Sequence, residues 1–172
     1  MADLLPLDDR DGALWFDGKL IPWREAKVHI LTHGLHYASC VFEGERYYGR
    51  RIYKQKEHTL RLIESARILD MKIPYTEDEI KKACEDTIAA HPFDDGYVRP
   101  LVFRGSEMLS VAGQRNKVHF GVAVWQWPSY FDAATKMKGI RLSISKWKRP
   151  APDCAPCSSK AAGLYMICTL SK

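Results

Sequence analysis

The residue types that could carry out chemistry lie close together near the C-terminal end of the sequence. Cys154 and Cys157 form a Cys-x-x-Cys pair, and Lys160 follows three residues later. Such a pair can bind zinc or act as a redox couple, but there is no second pair and no histidine cluster nearby in sequence. We therefore expect no zinc site and leave a redox role open. A lysine amine can act as a nucleophile in a suitable site, although most lysines are solvated surface residues.

The composition describes a globular protein and excludes several functional classes. The 172 residues are 46% hydrophobic and 27% charged, which allows a packed core. The net charge of +5 comes from scattered Lys and Arg, so we expect no nucleic-acid partner. No apolar run approaches a membrane span, and the N-terminus lacks the pattern of a signal or transit peptide. Together with five irregularly spaced cysteines, this predicts a cytoplasmic protein without a membrane partner.

Sequence patterns along the chain predict an α+β domain. The dipeptides Asp17-Gly18 and Gly49-Arg50 separate strand-like segments, so each predicts a hairpin. Apolar spacing predicts a helix from Glu57 to Leu69, and the Thr-x-x-Glu capping box at 76–79 predicts a second helix that begins near Glu77. Three β-rich segments follow, at 97–103, 118–127 and 139–147.

The last part of the sequence predicts a connection and the start of another domain. The proline-rich segment 149–156 cannot form regular structure and predicts an extended connection. Apolar spacing then predicts a helix from Ser159 to Leu170, which has more apolar surface than it can cover alone. The expected organisation is a small α+β domain at 1–148, an interdomain connection at 149–158 and the first helix of a truncated larger domain at 159–172.

Several segments resemble, in the family's order, the branched-chain aminotransferases, which are fold-type IV pyridoxal-phosphate enzymes. Separate motifs at compatible spacing, from Leu14 onward, are more specific than any one of them. The resemblance implies the small-domain fold of class IV aminotransferases, as in D-amino-acid aminotransferase. The matching segments are His33-Gly34-Leu35-His36-Tyr37, Val41-Phe42-Glu43-Gly44, Glu57-His58 with Arg61-Leu62, Tyr97-Val98-Arg99-Pro100, and Lys160-Ala161-Ala162-Gly163-Leu164-Tyr165 after Arg149-Pro150-Ala151-Pro152.

The same resemblance assigns roles to individual residues. Lys160 would be the catalytic residue, which forms a Schiff base with pyridoxal 5'-phosphate and moves a proton between substrate and cofactor. Tyr165 would hydrogen-bond the phenolic oxygen of the cofactor, and Arg61 would bind its phosphate through a rigid, permanently charged fork. The substrate-binding positions, which supply an aromatic wall and groups that handle carboxylates, would be Tyr37, Phe42, Tyr97, Arg99, Trp127 and Tyr130.

The implied reaction is transamination of leucine, isoleucine and valine with 2-oxoglutarate or glutamate as the partner. Amino acids and 2-oxo acids would be the small-molecule partners, and the protein would form a homodimer or a higher homo-oligomer. His29, His33 and His36 lie in a stretch that shapes the family's pocket, so we expect no metal there. The alternatives are a relative of D-amino-acid aminotransferase or aminodeoxychorismate lyase, or an inactive dimerising remnant. The Phe42-Glu43-Gly44 and Tyr97-Val98-Arg99 segments favour the branched-chain reading.

The sequence departs from the family's pattern after Lys160. In these enzymes an acidic side chain pairs with the pyridine nitrogen of the cofactor, and it lies farther downstream than Lys160. Residues 161–172 contain no carboxylate side chain. The resemblance therefore implies that this chain carries the lysine without most of its cofactor cradle. We expect a part of a longer protein or a natural truncation, with doubtful activity alone.

Overall fold

The computed structural model describes residues 6–127 and 132–171. Within these residues the chain forms one seven-stranded antiparallel sheet in the order β2-β1-β7-β6-β4-β5, with β3 also paired to β6. This arrangement confirms the predicted α+β class. The strands are β1 Ala13–Phe16, β2 Lys19–Pro22, β3 Cys40–Phe42, β4 Glu45–Tyr48, β5 Arg51–Ile52, β6 Gly96–Arg104 and β7 Val118–Trp125.

The helices are short apart from two that pack on the sheet. None of the helices in the described ranges has the length and apolar character that a membrane crossing requires. Two 3₁₀ turns, Trp23–Glu25 and Ala162–Tyr165, complete the regular structure of these ranges. The helices are α1 His33–Tyr37, α2 Gln55–Ile68, α3 Glu77–Ala89, α4 Ala133–Lys138 and α5 Met166–Leu170.

Strands β6 and β7 form the centre of the sheet. Their register determines which side chains lie on each face. They pair in register from Tyr97 opposite Trp125 to Arg104 opposite Val118. Because side chains alternate along a strand, residues such as Val98 lie on the face covered by α2 and α3 and are fully buried. Tyr97 and Arg99 lie on the opposite face. The strands predicted at 97–103 and 118–127 are thus confirmed, although β7 ends at Trp125.

Helices α2 and α3 form as the sequence predicts. The Thr76 hydroxyl accepts a hydrogen bond from the Glu79 amide, and the Glu79 carboxylate accepts one from the Thr76 amide, which completes the capping box. Helix α2 begins two residues before the predicted Glu57, at Gln55. Its buried residues include Leu62, Ser65 and Ala66, so one face of the helix is fixed against the sheet.

Both predicted hairpins form, but the segment before the second turn consists of two strands, β3 and β4, with a break between them. Asp17, Gly18, Gly49 and Arg50 adopt the positive φ angles that tight hairpin turns need.

The interruption separates β3 from β4 at Glu43-Gly44, although both strands keep one register along β6. Glu43 lies opposite Pro100 and donates its amide hydrogen to the Pro100 carbonyl oxygen at 2.9 Å. Because Pro100 has no amide hydrogen, it cannot donate the second hydrogen bond of this pair to Glu43. The ladder of hydrogen bonds is therefore broken at this point. The break lies beside the residues with proposed functions.

Three predictions near the C-terminus differ from the structure. Residues 139–147 form no strand, because no strand of the described residues pairs with them, and Ile144 is 100% exposed. Segment 149–156 lacks regular structure as expected, but turns around Cys154 replace the extended path. Helical structure begins at Ala162 rather than Ser159, because residues 159–161 are held by hydrogen bonds to the sheet and to α2.

Candidate active site

The backbone of Lys160 lies along the free edge of β3. The Phe42 amide donates a hydrogen bond to the Lys160 carbonyl oxygen at 3.3 Å, and Val41 forms an antiparallel bridge with Ala161. Strand β3 is therefore paired on both sides, with β6 on one and this short segment on the other. Pairing with a central sheet gives the lysine a defined position relative to Phe42.

Helix α2 holds the same segment from another direction. The Ser65 hydroxyl accepts a hydrogen bond from the Lys160 amide at 2.9 Å, and the Ser65 carbonyl oxygen accepts one from the Ser159 hydroxyl at 3.0 Å. Ser65 is 1% exposed and Ser159 is 3% exposed, so these bonds are shielded from water. A single buried serine thus fixes the residues that lead into Lys160.

The side chain of Lys160 lies between two aromatic rings. Its Nζ donates to the Tyr165 hydroxyl at 2.5 Å and lies 4.5 Å from the centre of the Phe42 ring and 4.7 Å from that of Tyr165. The two rings are 4.9 Å apart and tilted by 55°. The 3₁₀ turn after Ala161 buries Leu164 in the core and returns Tyr165 toward the lysine. The result is an amine, a phenol and an aromatic wall in one place.

Arg61 projects from α2 beside this group and pairs with Glu43. Its Nε and Nη2 donate to the two carboxylate oxygens of Glu43 at 2.5 and 2.6 Å. These hydrogen bonds are the main reason that the pKa of Arg61 lies above its ordinary value. Glu43 follows Phe42 in the chain, and the Phe42 ring lies against both Lys160 and Tyr165. The ion pair of Arg61 and Glu43 is therefore at the same end of β3 as the amine and the phenol.

Glu43 is a fully buried carboxylate whose charge is balanced locally. Burial by itself raises its pKa, but hydrogen bonds from Arg61 and His58 outweigh this effect and hold the pKa below its ordinary value. His58 Nδ1 lies 2.8 Å from the Glu43 carboxylate. Glu45, two residues along the same face, has its pKa raised to about 8 by burial and by the charge of Glu43. At neutral pH this pair therefore carries one negative charge.

A second group of site residues surrounds Arg99 on the open face of the sheet. The Arg99 guanidinium lies 4.6 Å from the centre of the Phe42 ring and 5.3 Å from that of Tyr97, and it donates to the Tyr97 hydroxyl at 3.1 Å. Arg99 Nε is buried without a hydrogen-bond partner among the described residues. Phe42 contacts both Arg99 and Lys160, so it joins the two groups.

Aromatic rings extend this second group toward a cavity. The Tyr97 ring lies 5.0 Å from the Trp125 ring and 4.7 Å from the Trp127 ring. A cavity of about 630 Å³ is lined by Arg99, Trp125 and Trp127 together with Arg24 and other residues. The structure thus brings a guanidinium and two indoles to the wall of one cavity.

The roles assigned by resemblance to Tyr37 and Tyr130 are not tested by the described contacts. Tyr37 lies on α1 with its ring 4.7 Å from that of His33, and no contact with Lys160, Phe42 or Arg99 is among its described interactions. Tyr130 lies outside the described residues. The roles of Tyr37 and Tyr130 in the pocket wall therefore stay predictions.

Sequence reasoning missed three residues that the structure places in or beside the site. Glu43 was noticed only as part of a family motif, and nothing in its spacing indicates that it is buried. Ser65 is one of several serines, and its contact with Lys160 spans 95 positions. Trp125 lies on the same strand face as the predicted Trp127, so period-two alternation from Trp127 is the signal that could have found it.

Most of the cysteines and histidines considered for redox or metal chemistry lie within hydrogen-bonding distance of nearby protein groups. Cys157 Sγ lies 2.8 Å from the Pro150 carbonyl oxygen, and Cys154 is exposed. His33 is buried and bonded to the Ser39 hydroxyl at 2.6 Å. His36 Nε2 lies 3.0 Å from the Ile30 carbonyl oxygen. These contacts account for the positions of Cys157, His33 and His36, and the redox role of the cysteine pair stays open.

A lysine amine held between a phenol and an aromatic ring could act as a nucleophile, and a family comparison identifies the class of protein. Residues 40–172 match the amino-transferase class IV family. The chain belongs to this family.

Relatives within the family are branched-chain aminotransferases. The probable enzyme of Rickettsia conorii is 42% identical over 160 residues, which cover 92% of this chain and 53% of that protein. The Pseudomonas aeruginosa enzyme is 38% identical over 166 residues, covering 94% and 54%. The T.th. branched-chain amino acid aminotransferase, solved with pyridoxamine 5'-phosphate, superposes with a TM-score of 0.89 at 34% identity, over 95% of this chain and 55% of that one. The chain spans about half the length of these relatives.

We predict that Ser65→Ala loosens the Lys160 segment without unfolding the protein. The substitution removes the acceptor of the Lys160 amide but leaves the Ser65 carbonyl oxygen in place for Ser159. The loss should be about 1 to 2 kcal/mol in the free energy of unfolding, because a shielded amide loses its partner. Urea unfolding measures this loss, and amide hydrogen exchange at Lys160 should accelerate. Ser110→Ala, at an exposed serine, is the control; equal effects of the two changes would contradict the assignment.

Proposed function

We propose that this chain is the lysine-bearing part of a branched-chain amino acid aminotransferase, and that Lys160 attaches pyridoxal 5'-phosphate. The observation that carries the proposal is the contact of Lys160 Nζ with the Tyr165 hydroxyl beside the Phe42 ring, with Arg61 paired to Glu43, the residue after Phe42. The family match and the names of the relatives support the same reading.

The residues present fit three chemical features of the cofactor. The Lys160 amine suits its aldehyde, and the Tyr165 hydroxyl suits its phenolic oxygen. Arg61 has an exposed guanidinium with Nη1 donors that no described residue engages, which suits a phosphate. These residues account for the aldehyde, the phenolic oxygen and the phosphate, and residues 161–172 contain no carboxylate side chain that could pair with the pyridine nitrogen.

The proposed mechanism assigns one task to each side chain. When bound, pyridoxal 5'-phosphate supplies the electron sink that makes the α-hydrogen of an amino acid acidic. Lys160 would act as the base that moves a proton from the substrate Cα to the former aldehyde carbon of the cofactor, which is the transfer that transamination requires. Tyr165 orients the amine through its hydroxyl, Arg61 holds the phosphate, and Phe42 excludes water from one side of the lysine.

The second group of residues supports a pocket for both substrate classes. Phe42, Tyr97 and Trp127 offer aromatic surface, which favours branched aliphatic side chains such as those of leucine, isoleucine and valine. Arg99 offers a guanidinium for the second carboxylate of glutamate or 2-oxoglutarate. We propose Tyr37 and Tyr130 as further wall residues by resemblance alone.

We also propose the wider context of the protein. The division into a small domain at 1–148, a connection at 149–158 and the start of a larger domain at 159–172 is supported by the irregular segment between α4 and the 3₁₀ turn at 162–165. A cytoplasmic location is supported by the five cysteines, which are all free thiols in the described residues. A homo-oligomer is supported by the half-exposed aromatic face of the sheet.

The first test of the function is covalent labelling of the 172-residue chain. Pyridoxal 5'-phosphate followed by borohydride should modify Lys160 as the main site, because this amine has an aromatic wall and a phosphate-binding neighbour. Peptide mass mapping should show that Lys160→Ala removes the label, while Lys138→Ala, at an exposed lysine of α4, retains it. Label spread evenly over many lysines, unchanged in Lys160→Ala, would refute the proposal.

Arg61→Lys tests the phosphate contact. An ammonium keeps the charge but not the planar fork, so the preference for pyridoxal 5'-phosphate over pyridoxal in labelling Lys160 should fall about tenfold. Arg67→Lys is the matched control, because Arg67 lies on the same helix with a side chain that is 71% exposed. If both variants keep the preference, Arg61 is an ordinary residue of the helix surface.

Arg99→Ala tests recognition of a second carboxylate. Glutarate should bind the chain more tightly than valerate, and Arg99→Ala should reduce this difference by about tenfold, the effect of one charge-assisted contact. Tryptophan fluorescence reports the binding, since Trp125 and Trp127 line the same cavity. Arg24→Ala is the control, because Arg24 also lines the cavity but is paired with Asp9 and Asp11. An equal loss for both ligands would make Arg99 structural.

A further inference from the structure

The orientation of Arg61 depends on a residue that the proposed mechanism does not use. The Arg61 side chain is 53% exposed and long enough to adopt many rotamers in water. Glu43, by contrast, has 0% of its side chain exposed and is fixed at the break between β3 and β4. The flexible side chain of Arg61 is therefore hydrogen-bonded to the fixed carboxylate of Glu43.

The hydrogen bonds between them use only one edge of the guanidinium. Nε and Nη2 donate to Glu43 at 2.5 and 2.6 Å, whereas Nη1 has no hydrogen-bond partner among the described residues. Because the guanidinium is planar, fixing one edge also fixes the direction of the other. The remaining donors are held in place before any anion arrives.

Contacts from helix α2 and from the sheet fix the position of Glu43. His58, one turn before Arg61 on α2, lies 2.8 Å from the same carboxylate. The Glu43 backbone is held by its hydrogen bond to the Pro100 carbonyl oxygen at 2.9 Å. Sheet and helix thus both fix the acid.

We propose that Glu43 is a positioning residue, which holds the Arg61 guanidinium so that its free edge binds the phosphate of the cofactor. This inference rests on the proposed function, in which Arg61 binds that phosphate. Pre-orientation avoids the loss of side-chain entropy that a free arginine would incur on binding.

The opposite charge of Glu43 also acts on a phosphate, and the geometry decides which effect is larger. The phosphate would contact the free edge of the guanidinium directly, whereas Glu43 lies behind the opposite edge, farther from the phosphate and already paired with Arg61. Replacing Glu43 by glutamine would keep one acceptor but set an NH₂ group against the second N–H of Arg61. The paired contact would then be lost, and the guanidinium would turn away.

Glu45 provides a matched control within the same buried pocket. It lies two residues from Glu43 on the same strand face and is 1% exposed, and one of its carboxylate oxygens lacks a hydrogen-bond partner among the described residues. It makes no described hydrogen bond with Arg61. Glu45→Gln is therefore the same change of a buried carboxyl to an amide, without the effect on Arg61.

The test measures labelling of Lys160 in the 172-residue chain by pyridoxal 5'-phosphate and by pyridoxal, each trapped with borohydride. The ratio of half-saturating concentrations isolates the contribution of the phosphate. Glu43→Gln should reduce the preference for the phosphorylated aldehyde about tenfold or more, while Glu45→Gln should keep it. Combining Glu43→Gln with Arg61→Lys should add little further loss, because Glu43 acts through the arginine.

Outcomes that overturn the inference are distinct from those that overturn the function. Thermal unfolding checks that each variant folds, and Glu43→Asp, which keeps the charge but shortens the reach, replaces Glu43→Gln if that variant does not fold. If Arg61→Lys loses the preference but Glu43→Gln or Glu43→Asp keeps it, Glu43 does not position Arg61. Additive losses in the double variant would also overturn the inference. If the wild-type chain shows no preference at Lys160, the proposed function fails and the inference fails with it.

Discussion

The addition of the Lys160 segment to the edge of β3 is the interaction on which the site depends. One backbone hydrogen bond to Phe42 and one bridge at Val41 place the lysine against a sheet that is already complete without it. Ser65 supplies the remaining constraint from α2. A residue 95 positions away in sequence thereby fixes the backbone of the lysine, and the amine follows because the turn after it returns Tyr165 to contact it.

Helix α2 sets the separation between the two anchors of the proposed cofactor site. Arg61 and Ser65 are four residues apart, so they lie on one face with a rise of about 6 Å between them. Because Leu62 and Ala66 are fully buried, the helix cannot rotate to change this spacing. The same packing creates the buried pocket of Glu43 and Glu45, where two carboxyl groups are tolerated because only one is ionised at neutral pH and Arg61 balances it.

The fold was predictable wherever local sequence and long-range structure agreed. The capping box at Thr76, the hairpin turns and the alternation of the central strands were sufficient for α3 and for the centre of the sheet. Residues 139–147 show the limit of this reasoning. Their alternation is that of a strand, but a strand requires a neighbour, and the described residues provide none. The break at Glu43 was hidden for a similar reason, since it arises from Pro100 on another strand.

The sequence by itself determined the family, the α+β class and which residue types could serve a pyridoxal-phosphate site. Lys160, Tyr165, Arg61 and Arg99 are recognisable because motifs preserve their order and spacing along the chain. Only the tertiary structure decided that Lys160 contacts Tyr165 and Phe42, and that the Glu43 carboxylate accepts two hydrogen bonds from Arg61. The physical reason is that these contacts depend on strand register and helix packing, which bring together residues that no local pattern connects.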